Sequence, residues 1–144
     1  MHINIARAAV AGIIGTAVMT VVGLHVAPLM GIPPMNPAVM LAGAMGGVAI
    51  LGWTAHFLIG ITLAVGYAVV GRALPGPAFV GGAVYGLAPY LLAQIVVMPL
   101  MGMPFFSGFG AMAVGSLLGH LVYGGVVGAV YGTAADARAV PASA

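Results

Sequence analysis

Four long apolar stretches, near residues 8–30, 38–71, 78–101 and 109–133, alternate with short connections rich in Pro and Gly. Each reaches or exceeds the roughly 20 helical residues needed to cross a hydrocarbon core. None alternates polar and apolar positions as a lipid-facing barrel strand does, so helices are the expected elements. The pattern predicts an all-α, integral membrane four-helix bundle: one transmembrane domain over residues 1–144, ending in a polar tail at 134–144. The first stretch follows Arg7 as a signal peptide would, but it lacks a small-x-small cleavage site and is echoed later in the chain. It is therefore expected to be a retained helix.

The echo is specific. A shift of 71 residues lays Ala27-Pro28-Leu29-Met30-Gly31-Ile32-Pro33 on Met98-Pro99-Leu100-Met101-Gly102-Met103-Pro104. A shift of 64 superposes His56-x3-Gly60-x6-Tyr67 on His120-x3-Gly124-x6-Tyr131. The difference falls in a longer first connection around Pro33, Pro34, Asn36 and Pro37. The chain reads as two tandem parallel two-helix hairpin repeats, about 8–71 and 79–133. An even number of spans per repeat sends both copies in from the same side, so the pseudo-two-fold axis runs along the membrane normal. In an up-down-up-down bundle the second and fourth helices are then diagonal partners.

Composition agrees with burial in lipid: 63% of the 144 residues are hydrophobic and 3% charged, with a mean hydropathy of +1.25. That leaves too little polar surface to cover a water-soluble globule. Arg7, Arg72 and Arg138 share one side of the predicted topology. The positive-inside rule places that side, with both termini, in the cytoplasm, as for a multi-pass protein of a bacterial inner membrane. The +2 net charge reflects these anchors and carries no nucleic-acid signal. The sole acid, Asp136, lies in the tail, and there is neither Cys nor Lys. Carboxylate-pair, thiol and phosphate-loop chemistry are thereby excluded, and the protein is expected not to be an enzyme.

The candidate site is the pair of histidines. Helical spacing places Gly52, His56, Gly60, Leu63 and Tyr67 on one face of the second helix, and Ser116, His120, Gly124, Val127 and Tyr131 on one face of the fourth. The simplest reading is packing without a cofactor, small residues letting helices approach and the imidazoles bonding across an interface. A second reading treats Gly or Ser one turn either side of each histidine as a flat slot, making a bis-histidine haem b site of His56 and His120, with Gly60, Gly124, Tyr67 and Tyr131 around it. Against it, Arg72 lies sixteen residues from His56, about 24 Å along a helix, too far for propionates. A third reading is Cu(I): the chain has ten methionines, and Met30, Met35, Met98, Met101 and Met103 gather with others at the extracytoplasmic end, where thioethers and His56 and His120 suit a soft ion. A proton or small-ion channel or carrier, formed by oligomers around the imidazoles, is a further alternative.

Lesser features have quieter readings. His25 is expected at the interface, Gln94 after Pro89 in a kinked third helix, and Thr16 and Thr20 bonded back to their own helix. His2 sits at the terminus. Phe105, Phe106 and Phe109, with Met35, Met40 and Met45, are expected to fold back towards the bundle or lie in the interface.

The Pro-x-Met-Gly turns, the run Gly52-Trp53-x-x-His56-Phe57-x-x-Gly60 and the closing Gly119-His120-Leu121-Val122-Tyr123-Gly124 resemble a family of small bacterial four-helix integral membrane proteins of unknown function, from Ala8 to Gly132. The resemblance implies four spans and a retained first helix, and it transfers no activity. The resulting expectation is a non-catalytic protein that holds a cofactor or serves as an accessory subunit, in contact with lipid and associating as a homo-oligomer or in a larger membrane complex.

Overall fold

The computed structural model describes residues 3–132; His2, Asp136, Arg138 and the 134–144 tail lie outside the described residues. The described residues form no strand. Five helices account for the architecture: α1 (Ile5–Met30), α2 (Pro37–Ala44), α3 (Ala49–Val70), α4 (Ala78–Leu100) and α5 (Ala111–Tyr131). Four of them, all but α2, are long and apolar enough to span a membrane. This is the make-up of a multi-pass membrane protein, and outward side chains such as Leu29 (86% exposed) and Leu100 (82%) suit contact with lipid.

The second apolar stretch is not one helix, as its continuous hydrophobicity predicts. Asn36 caps α2 by accepting from the Ala38 and Val39 amides at 3.1 and 3.3 Å, with Pro37 at the first helical position. Met45 and two glycines of positive φ, Gly46 and Gly47, then end it, and α3 begins at Ala49. The short helix folds back onto α3, because a Cβ on Gly52 would collide with the Ala38 carbonyl and with Ala42.

Helices α1 and α4 deviate alike. Each passes through one π-helical segment, Val22–Val26 and Ala93–Val97, and each ends just before a left-handed glycine, Gly31 or Gly102, both with φ of 77°. The cap bonds match: Ile32 N–H donates to Ala27 O and Met103 N–H to Met98 O, at 3.2 and 3.0 Å. Proline explains the widening, since Pro28 and Pro99 have no N–H to donate and crowd the preceding turn.

The packing follows glycine. Along α4 and α5, a Cβ on Gly82, Gly86, Gly124 or Gly128 would strike backbone atoms of the facing helix, so this pair packs main chain to main chain. Gly12 does the same on α1, where a Cβ would come 2.7 Å from Ile61 Cα of α3. Helix α1 also packs extensively on α5, whereas α3 and α4 touch little. The four spans thus make an open arc in the order α3, α1, α5, α4, with a seam between α3 and α4. Helices α3 and α5 also touch little, meeting where the Tyr123 hydroxyl reaches Gly60 O.

The core fills one half of the arc. Ala11, Ala64, Tyr67, Tyr123 and Val127 form it, and Tyr85 closes the seam at that level by donating its hydroxyl to Leu63 O at 2.7 Å. At the same end Arg7 Nε donates to Val130 O at 3.0 Å and its guanidinium lies 5.8 Å from the Tyr131 ring centre. In the other half the seam opens into a cavity.

Candidate functional site: an intramembrane histidine and methionine cavity

A cavity of about 180 Å³ lies beyond the core, and His56 and His120 both line it. Its walls are overwhelmingly apolar. Its floor is a cross-link between the two histidine helices, the Tyr123 hydroxyl donating to Gly60 O. Tyr123 is one turn from His120 and Gly60 one turn from His56. This bond ties the turn beside His120 to the turn beside His56 across the arc.

The hydrogen bonds assign the tautomer of each ring. Thr20 has one hydroxyl proton; with that proton donated to Thr16 O at 2.7 Å, its oxygen accepts from His56 Nε2 at 3.0 Å, so both bonds are made together when His56 carries its proton on Nε2. His120 Nδ1 lies 2.7 Å from the Ser116 carbonyl, an acceptor only, so His120 carries its proton on Nδ1. The remaining nitrogens, Nδ1 of His56 and Nε2 of His120, keep their lone pairs and have no hydrogen-bond partner among the described residues. Each imidazole is tethered by one nitrogen and offers the other.

Six methionines line the same space: Met19, Met35, Met40, Met98, Met101 and Met112. None belongs to the buried core. Of the expected set, Met35, Met98 and Met101 reach the cavity, whereas Met103 lines an adjoining recess and Met30 is 64% exposed. No cluster of three or more His, Cys, Asp or Glu exists among the described residues. The donor set is soft and neutral.

Polar groups are few and placed. Gln94 is buried, and its Oε1 accepts from the Ser107 hydroxyl at 2.8 Å. Ser107 is held by a left-handed turn in which Phe106, Ser107 and Phe109 have φ of 49°, 48° and 57°. Thr20 returns a bond to its helix as expected; Thr16 does not. Its Oγ1 is buried without a partner among the described residues, and Thr16 lines the cavity. The close approach of α3 explains this, since the hydroxyl sits where a Cβ on Gly60 would go.

The same packing fills the flat slots expected beside the histidines. Gly52 is covered by α2, Gly60 by Thr16 of α1 and Gly124 by the Gly82 carbonyl of α4, so these glycines serve helix approach, whereas Ser116 lines the cavity beside His120. Tyr67 and Tyr131 lie outside the cavity at the opposite end. The Tyr67 hydroxyl donates to Ala78 O at 3.3 Å and the Tyr131 oxygen accepts from Asn4 N–H at 3.4 Å. Pockets for drug-sized ligands hold roughly 300–1,000 Å³, and a porphyrin is larger than most such ligands. A cavity of about 180 Å³ suits an ion better than a porphyrin.

Thr20, expected only to bond back to its own helix, also faces His56, and Met112, one of the methionines expected at the extracytoplasmic end, lines the cavity, as do Met19 and Tyr123, to which the sequence gives no site role. The spacing of Thr16 and Thr20, one turn apart on the Gly12 face of α1, is the signal for the first. Tyr123 lies off the His-Gly-Tyr register and stands out in the sequence only as part of the closing Gly119-to-Gly124 run.

The chain belongs to a family of unknown function (DUF6789), whose family model matches residues 3–142. No curated protein and no solved structure matches it.

Proposed function

We propose that this is a non-catalytic multi-pass membrane protein whose cavity holds Cu(I) between His56 Nδ1, His120 Nε2 and methionine thioethers. The observation that carries the reading is the pair of tethered imidazoles. A metal-ligating histidine characteristically donates its other N–H to a protein acceptor, which fixes the ring and raises its basicity, and here Thr20 and the Ser116 carbonyl are those acceptors. Thioether and neutral imidazole donors select a soft ion. A monovalent ion also suits an apolar cavity without a counter-charge, because desolvation cost scales with the square of the charge.

The test is competition. Protein purified in detergent under reducing conditions is expected to withdraw one or more equivalents of Cu(I) from a chromophoric chelator, and X-ray absorption is expected to show both nitrogen and sulfur neighbours. Failure to compete, or a purely oxygen and nitrogen shell, would overturn the reading. Valine at Thr20 keeps the shape and removes the acceptor for His56. It is expected to weaken Cu(I) binding about 10–100-fold with helicity by circular dichroism unchanged; unchanged affinity would count against the role given to Thr20.

The topology belongs to the same proposal. The matched π-segments and glycine caps of α1 and α4 support descent from a duplicated hairpin. Arg7 and the Gly71–Ala73 turn, which contains Arg72, lie at one end of the arc, supporting cytoplasmic termini and an outward-facing cavity. The bacterial inner membrane is the compartment this arrangement fits.

A further inference from the structure

We infer that the mouth of the cavity carries a second Cu(I) site, formed by the thioethers of Met40, Met101 and Met103. The inference rests on the Cu(I) reading of the histidine cavity and adds the route by which the ion arrives. Beside that cavity lies a more open recess of about 480 Å³ lined by Met40, Gly43, Ala44, Leu100, Met101 and Met103. Half of its lining residues are methionines, and they come from three places: α2, the turn ending α4, and the irregular segment beyond Gly102. Met40 and Met101 line both spaces, so the recess and the histidine cavity share a wall made of thioethers.

Two local features bring the three together. The left-handed Gly102 turns the chain, and the bond from Met103 N–H to Met98 O at 3.0 Å pins Met103 beside the end of α4. Helix α2 lies against α3 through Gly52, which holds Met40 at the edge of the seam. These methionines are half-buried rather than core residues. Ordinary core filling therefore does not explain them, whereas three neutral sulfur donors at an accessible recess match the preference of Cu(I) and not of Zn(II) or Mg(II). With Met101 common to both spaces, an ion passes inward by exchanging one thioether for another and never crosses bare hydrocarbon.

The test uses the full-length protein in detergent and Ag(I), a redox-inert soft monovalent probe, counted by native mass spectrometry and titrated by calorimetry. Wild type is expected to take two ions. Met103→Leu removes a donor confined to the mouth, and is expected to lose the second ion or bind it at least about tenfold more weakly while the first is unchanged. His56→Ala/His120→Ala is expected to keep one ion, sensitive to Met103→Leu when the changes are combined. A single wild-type ion that is lost with the histidines and indifferent to Met103→Leu overturns the mouth site and leaves the histidine site standing. One ion lost with Met103→Leu and indifferent to the histidines overturns the histidine site instead, and no bound ion at all overturns both.

Discussion

Alanine at both His56 and His120 is expected to lower Cu(I) affinity at the inner site by at least about 10³-fold, measured by chelator competition. Loss of an outer-shell partner alone costs about 10–100-fold in affinity, and here two direct donors go. The substitutions are also clean. Thr20 keeps its own bond to Thr16 O, and the Ser116 carbonyl stays within α5, so neither change strands a buried proton. Helicity and detergent stability should therefore hold, which separates lost ligation from lost folding. If the double variant binds Cu(I) as wild type does, the histidines are packing residues and the proposal fails.

Leucine at Gly124 is expected to have the largest effect on stability, at least about 3 kcal/mol and above the usual range for overpacking, because the obstacle is backbone. A Cβ there would strike the Gly82 carbonyl and crowd the Gly86 nitrogen at 2.9 Å, and α4 has no rotamer with which to yield. Thermal unfolding in detergent should show the variant unfolded or strongly shifted. Gly43→Ala is the control: that position is inside α2, with nothing within 4 Å of the added Cβ. Alanine there is expected to be neutral or to stabilise by about 0.5–1 kcal/mol through helix propensity. Equal behaviour of the two variants would contradict the α4–α5 interface.

His56 and His120 were legible as a pair because a repeated spacing survives in a chain with few polar residues. Both line one cavity. The glycines around them were legible only as small residues; whether a small residue makes room for a ligand or for another helix depends on what lies opposite. At Gly60 and Gly124 it is another helix. The tyrosines of the repeat were misplaced for a related reason. Helical periodicity puts Tyr67 and Tyr131 on the histidine face, but three turns carry them into the opposite half of the arc.

Local patterning by itself determined the four spans, since length and apolarity suffice for a helix that must satisfy its own backbone in lipid. It also determined the proline and glycine ends of α1 and α4. Only the tertiary structure decided that α2 splits from α3, that the spans form an open arc, and which ring nitrogen of each histidine is free. Those outcomes depend on contacts between distant segments: α2 on Gly52, the main-chain approach of α4 and α5, and Thr20 opposite His56. No periodicity within a single helix encodes them.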